Sequence, residues 1–233
     1  MLKSVVKAIL FDLDGTLVDT IEDIRSSFNA TLALENLSPL STIQTKQVVG
    51  RGLYIALKGA LDLYGHQVSD ERFKELYQFM IDYYREHAVV QSRPYRGIPS
   101  LLKRLSYAGI PLGVLSNKED ALTQRIVSEF FGSIPFIWVS GLKQHGTRKP
   151  DRLSLAPFCN KYGISSSEVL YIGDSEVDWQ TACNAFCPHI LVSWGFRTKE
   201  ELQALRGSVV VDTVQELEEA INGIQREGSE EQS

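Results

Sequence analysis

The chain reads as an α/β protein: a doubly wound parallel sheet carrying an inserted helical domain. Three observations carry that class. Apolar runs of strand length recur, most without polar alternation, as strands covered on both faces require. Helical patterns fill the gaps between those runs. One gap is far too long: roughly a hundred residues separate the first run from Pro111, where a crossover needs about a dozen.

The first strand, expected over 7–13, ends in Asp12-Leu13-Asp14-Gly15-Thr16, so two carboxylates stand where a buried run opens into a loop. Strand residues two apart share a face, roughly 6.6 Å apart at about 3.3 Å per residue, so one metal ion or one phosphoryl group could touch both. Gly15 permits a turn that a side chain would resist, and Thr16 adds a hydroxyl. Taken alone, the pattern suits equally an aspartate that caps the next helix. Apolar residues at helical spacing then mark 17–37, 42–63 and 70–88 as a small helical bundle. Its joints fall at 16–19 and where Ser92, Pro94, Gly97 and Pro99 cluster. The expected division is a core at 1–16 and 93–224 and a helical cap at 17–92, with a hinge between them. Within the cap, Arg51 stands between Gly50 and Gly52, a guanidinium on flexible backbone suited to reach a substrate anion. An exposed hinge arginine is the equal alternative.

A helix over 98–107 has Pro99 in its first turn and stops at Gly109. A strand over 111–116 ends in Ser116-Asn117-Lys118, ahead of a helix over 118–131 that Ser116 or Asn117 could cap. After a strand at 136–139, the run from Lys143 through His145 and Arg148 to Lys149-Pro150 precedes a helix at 153–162. A strand at 169–173 opens through Asp174-Ser175-Glu176-Val177-Asp178 into a helix at 177–186. Strands at 189–193 and 209–211 and a helix at 214–221 complete the alternation. Ligands of open α/β sheets lie beyond the carboxyl ends of the strands, so these polar segments should converge on Asp12. Residues 225–233 are polar and acidic and read as a flexible tail.

At 233 residues the chain can bury one substantial core, or one core and a smaller lobe. A net charge of −5, with no basic face in the sequence, argues against nucleic acid as a partner. The opening run is too short and interrupted for a secretion signal or a membrane span, so a cytoplasmic location without membrane attachment is expected. Cys159, Cys183 and Cys187 lack the paired spacing of a zinc site and read as free thiols. A metal site from Cys183, Cys187 and His189 is disfavoured against buried helix-face cysteines.

These motifs, in this order, resemble the haloacid dehalogenase superfamily of phosphohydrolases, in particular its phosphoglycolate phosphatase-like branch with a helical cap. The resemblance runs from Phe11-Asp12-Leu13-Asp14-Gly15-Thr16 through Ser116 and Gly173-Asp174 to Ser193-Trp194-Gly195-Phe196. It implies a Rossmann-like core and Mg²⁺-dependent hydrolysis of a small phosphorylated metabolite by a monomer or homodimer, 2-phosphoglycolate being the leading substrate. Asp12 would attack phosphorus to form an aspartyl-phosphate. Asp14 would protonate the leaving oxygen and later deprotonate water. Asp12, the Asp14 backbone carbonyl and Asp174 would hold the Mg²⁺, with Asp178 behind them. Lys149 would counter the charge of nucleophile and phosphoryl oxygens, and Ser116 and the Asn117 N–H would bind the phosphoryl group.

Lys143 or Arg148 could replace Lys149 in that role, and His145 reads as a loop residue. Asp174 and Asp178 could instead be a solvated helix start. The activities left open are a pyrophosphatase, a sugar-phosphate phosphatase or a phosphomutase. Dehalogenation fits poorly, having no use for a second acid at position 14. A non-catalytic binding protein is disfavoured by the complete set of polar groups.

Overall fold

The computed structural model describes residues 6–143 and 146–230. Two compact units emerge, Met1–Val18 with Pro94–Ser233, and Asp19–Arg93. The first strand, β1 (Ala8–Phe11), is buried throughout, and a two-residue strand, β2 (Val18–Asp19), follows it.

The second unit is four helices, α1 (Ile21–Ala33), α2 (Thr42–Val48), α3 (Leu53–Asp62) and α4 (Asp70–His87). Phe28 and Leu32 of α1, Leu57 and Leu61 of α3, and Leu76, Met80 and Tyr84 of α4 form its buried stripe. The helix expected over 42–63 is two helices. Gly50 and Gly52 take φ of 120° and 86°, which a continuous helix forbids, and Gly52 is the N-cap of α3. Buried Asp23 accepts hydrogen bonds from the backbone N–H groups of Gln91 and Ser92 and from the Ser92 hydroxyl, fastening the end of this unit to its first helix.

The chain returns through β3 (Arg93–Pro94), which pairs with β2, and then alternates: α5 (Ile98–Tyr107), β4 (Leu112–Glu119), α6 (Asp120–Phe131), β5 (Trp138–Leu142), α7 (Ala156–Tyr162), β6 (Val169–Gly173), α8 (Glu176–Ala185), β7 (His189–Val192), α9 (Lys199–Gln203), β8 (Val210–Val211) and α10 (Val214–Glu230). The six-stranded sheet has the order β5-β4-β1-β6-β7-β8 with every pairing parallel. The expected α/β class is borne out, and strands buried on both faces explain why their sequences do not alternate.

Register positions the site. Phe11 of β1 lies opposite Val114 of β4 and Ile172 of β6, so Asp12, Ser116 and Asp174 lie at one edge of the sheet. Strand order also diverges there, with β4 on one side of β1 and β6 on the other, the crevice where ligands of such sheets bind.

Several elements differ from expectation. Instead of ending at residue 116, β4 continues to Glu119, because after a bulge its pairing with β5 resumes at Glu119 and Leu142. A Cβ on Gly141 would lie 2.5 Å from the Lys118 carbonyl oxygen, so only glycine lets the two strands approach there. The helix expected at 153–162 begins as a 3₁₀ turn, Arg152–Ser154, capped by Asp151. The sequence reading passed over α9, although Thr198 and Glu201 form a reciprocal capping box at its start. Helical backbone extends to Glu230, through part of the stretch read as a flexible tail. No helix among the described residues is long and apolar enough to cross a membrane.

Candidate active site

Asp12 follows the central strand and is buried. Its Oδ1 accepts from the Leu13 N–H at 2.7 Å and from the Lys149 ammonium at 2.9 Å. Among the described residues no donor meets Oδ2. The Lys149 Nζ also bonds Asp178 Oδ1 at 2.8 Å and the Tyr171 hydroxyl at 3.0 Å. Tyr171 in turn donates to the Leu115 carbonyl at 3.2 Å.

Backbone contacts hold that lysine from the other side. Asn117 Nδ2 donates to the Lys149 carbonyl at 3.0 Å, and the Lys149 N–H donates to Asn117 Oδ1 at 2.8 Å. Lys149 is therefore the cation on Asp12, whereas Lys143 and Arg148 are exposed. His145 lies outside the described residues.

Asp174, at the end of β6, is enclosed by backbone. Thr16 Oγ1 donates to its Oδ1 at 3.2 Å and the Phe196 N–H to its Oδ2 at 2.7 Å. Cβ atoms on Gly15 or Gly195 would lie 2.2 Å and 2.4 Å from Asp174 Oδ2, so both glycines are needed for the loops to close on it. Trp194 Nε1 ties the same loop to the Thr16 carbonyl at 3.1 Å. Asp178 is fully buried on the first turn of α8. Its Oδ2 accepts from the Asp174 and Ser175 N–H groups and the Ser175 hydroxyl. Neither aspartate belongs to a solvated helix start.

Asp14 turns to a different cation. Its Oδ1 lies 3.1 Å from the ammonium of Lys118, whose side chain is only 2% exposed. Ser116 is buried beside it, its Oγ accepting from the Lys118 N–H at 3.2 Å. Because β4 runs on to Glu119, neither Ser116 nor Asn117 caps α6.

Charge sets the electrostatics of this crevice. Burial raises Asp12 to about 7, Lys149 opposes that rise, and Asp178 and Asp14 add to it. Burial, with Asp178 and Asp12 nearby, likewise lifts Asp174 well above the ordinary carboxylate range. Burial alone would lower Lys149, but Asp12 and Asp178 outweigh it and hold the ammonium charged well above its ordinary value. Four carboxyl groups, Asp12, Asp14, Asp174 and Asp178, meet two ammonium groups, Lys118 and Lys149, and the Arg197 guanidinium acts on Asp174. Carboxylate oxygens of Asp12, Asp174 and Asp178 lie within 4.8 Å of one another. An all-oxygen cluster of this kind suits a hard divalent cation.

A haloacid dehalogenase-like hydrolase profile matches residues 9–192. The chain belongs to the haloacid dehalogenase-like hydrolases. Curated relatives include a phosphoglycolate phosphatase of Agrobacterium fabrum, 34% identical over 91% of each chain. A Pseudomonas aeruginosa N-acetylmuramic acid 6-phosphate phosphatase is 35% identical over 91% of this chain and 93% of its own. A solved Lactobacillus delbrueckii subsp. bulgaricus structure, with a provisional phosphoglycolate phosphatase assignment, superposes with a TM-score of 0.83 at 32% identity, covering 92% of this chain and 98% of that one. This haloacid dehalogenase-like hydrolase is a phosphatase.

Of the residues singled out in sequence, Asp12, Asp14, Ser116, Asn117, Lys149, Asp174 and Asp178 all lie at this one sheet edge. Arg51 belongs to the second unit, where it is exposed between its two glycines. Sequence reasoning missed Lys118 and Tyr171. A lone tyrosine in the run Val169–Gly173 was a signal, since a buried hydroxyl needs a partner. Lys118 was read as the start of a helix, and only the extension of β4 buries it.

Proposed function

We propose that this phosphatase hydrolyses 2-phosphoglycolate through an aspartyl-phosphate on Asp12, with Mg²⁺ as cofactor. The carrying observation is Asp12 itself, a buried carboxylate held through Oδ1 by Lys149 and the Leu13 N–H, with no donor on Oδ2 among the described residues. A nucleophile needs one oxygen oriented and the other open. Oδ2 attacks phosphorus while the bond from phosphorus to the leaving oxygen breaks. Asp14 gives its proton to that oxygen, then takes one from the water that cleaves the aspartyl-phosphate. The Lys149 ammonium lowers the repulsion between the carboxylate and a dianionic phosphate, and the Ser116 hydroxyl and Asn117 N–H bind its oxygens.

Asp12, Asp174 and the Asp14 backbone carbonyl would hold the Mg²⁺, with Asp178 supporting them. The ion would neutralise charge on the phosphoryl oxygens. The all-oxygen cluster supports that assignment. Arg51, carried between Gly50 and Gly52, we assign to substrate binding.

A second reading, a sugar-phosphate phosphatase, draws on the similarity to the Pseudomonas relative. The test is phosphate release from purified protein with and without Mg²⁺, over phosphoglycolate, sugar phosphates, nucleotides and pyrophosphate. Phosphoglycolate should lead, and Asp12→Asn should be inactive on every substrate. A better sugar phosphate would replace the substrate assignment. Turnover by Asp12→Asn at more than a few per cent would end the covalent mechanism.

A further inference from the structure

The active site holds its two lysines on different carboxylates. Lys149 bonds the nucleophile Asp12, where the phosphoryl group transfers. Lys118 bonds Asp14, the group assigned to the departing oxygen. A cation that bonds the acid assigned to the departing oxygen is a candidate to read the departing alcohol.

We propose that Lys118 is a specificity-determining residue that binds a carboxylate on the leaving group, making phosphate esters of hydroxy acids the preferred substrate class. This inference rests on the reading of Asp14 as the acid at the leaving oxygen. Three features of the chain support it. The ammonium is almost fully removed from solvent, 2% exposed beside an Asp14 that is 17% exposed, and water screens such a charge little. Its backbone is fixed at both sides, the N–H by Ser116 Oγ and the carbonyl by the Thr123 hydroxyl at 3.3 Å, with Gly141 packed against it. The side chain thus comes from a strand rather than from a mobile loop. An ammonium can also bond more than one acceptor, so it can hold Asp14 and a substrate anion together.

The matched pair of substrates is 2-phosphoglycolate and its neutral amide, 2-phosphoglycolamide, which differ little in shape. Wild-type protein should favour the acid over the amide. Lys118→Met and the neutral, similar-length Lys118→Gln should lower kcat/KM for the acid by roughly 10- to 100-fold, the scale of hydrogen bonds to a charged group, chiefly through KM. The amide should change far less in both variants. Lys118→Arg should retain most of the preference for the acid. Equal losses on acid and amide would show that Lys118 acts only through Asp14, and would overturn the proposal. So would a wild-type enzyme indifferent to the carboxylate, an outcome that needs no variant to fold. Failure of the underlying reading looks different: wild-type protein would then release phosphate from neither compound while hydrolysing some other ester.

Discussion

Asn117 offers a sharp test of how the site is held, because its side chain touches the Lys149 backbone. Its amide donates to the Lys149 carbonyl at 3.0 Å and accepts from the Lys149 N–H at 2.8 Å, and both residues are buried. Asn117→Ala removes both bonds at once and deprives two buried peptide groups of these partners. At about 1 to 3 kcal/mol for each, and with larger totals exceptional for one substitution, the loss should be about 2 to 4 kcal/mol. For a protein of this size that is a fall in Tm of roughly 5 to 15 °C. The ammonium would then be free to drift from Asp12, and a displacement of about 1 Å at a reacting group can cost on the order of 10²-fold. We expect kcat to fall by about that factor for alkyl and aryl phosphates alike, since Lys149 serves the nucleophile rather than the leaving group. Thermal unfolding and steady-state kinetics on both substrate classes measure the two effects. Stability within about 0.5 kcal/mol of wild type, or a change confined to KM, would refute the clamp and leave Asn117 as a substrate contact alone.

Asp14→Asn should cost alkyl phosphates about 10² to 10⁴-fold in the phosphorylation step and aryl phosphates markedly less, measured in single turnovers. Equal losses would remove Asp14 as the general acid. Gly15→Ala forces a Cβ to within 2.2 Å of Asp174 Oδ2 at a φ of 80°, so the Mg²⁺ concentration for half activity should rise. We expect that rise to be roughly 10-fold or more, and an unchanged Mg²⁺ titration would separate Asp174 from the metal. Burial lowers the pKa of His189, and its Nε2 has no hydrogen-bond partner among the described residues. Below about pH 6.5 the unfolded chain then binds a proton that the folded chain refuses, so this residue's contribution to stability is present above that pH and declines on acidification. Urea unfolding across that range should show a smaller acid loss in His189→Gln than in wild type, and identical losses would contradict the assignment.

Chain-local chemistry made much of this protein legible. Aliphatic runs such as Val169–Gly173, too uniform to alternate, declare strands covered on both faces, and the excess chain before Pro111 declares an insertion. Acids placed where a buried strand ends are costly without a purpose, which is why Asp12, Asp14 and Asp174 stand out before any fold is known. Choosing among Lys143, Arg148 and Lys149 was beyond the sequence, because three neighbouring cations differ only in which one the loop buries against Asp12. Lys118 was hidden for a related reason. Local pattern makes it the first residue of a helix, but pairing between β4 and β5 extends the strand through Glu119 and takes the ammonium out of water to Asp14. Asn117, Tyr171 and Asp178 likewise acquire their roles from Lys149, which lies 32, 22 and 29 residues from them along the chain. Spacing along the chain reveals which residues could meet, whereas register and burial decide which do, since a hydrogen bond or ion pair depends on distances that only the packed sheet sets.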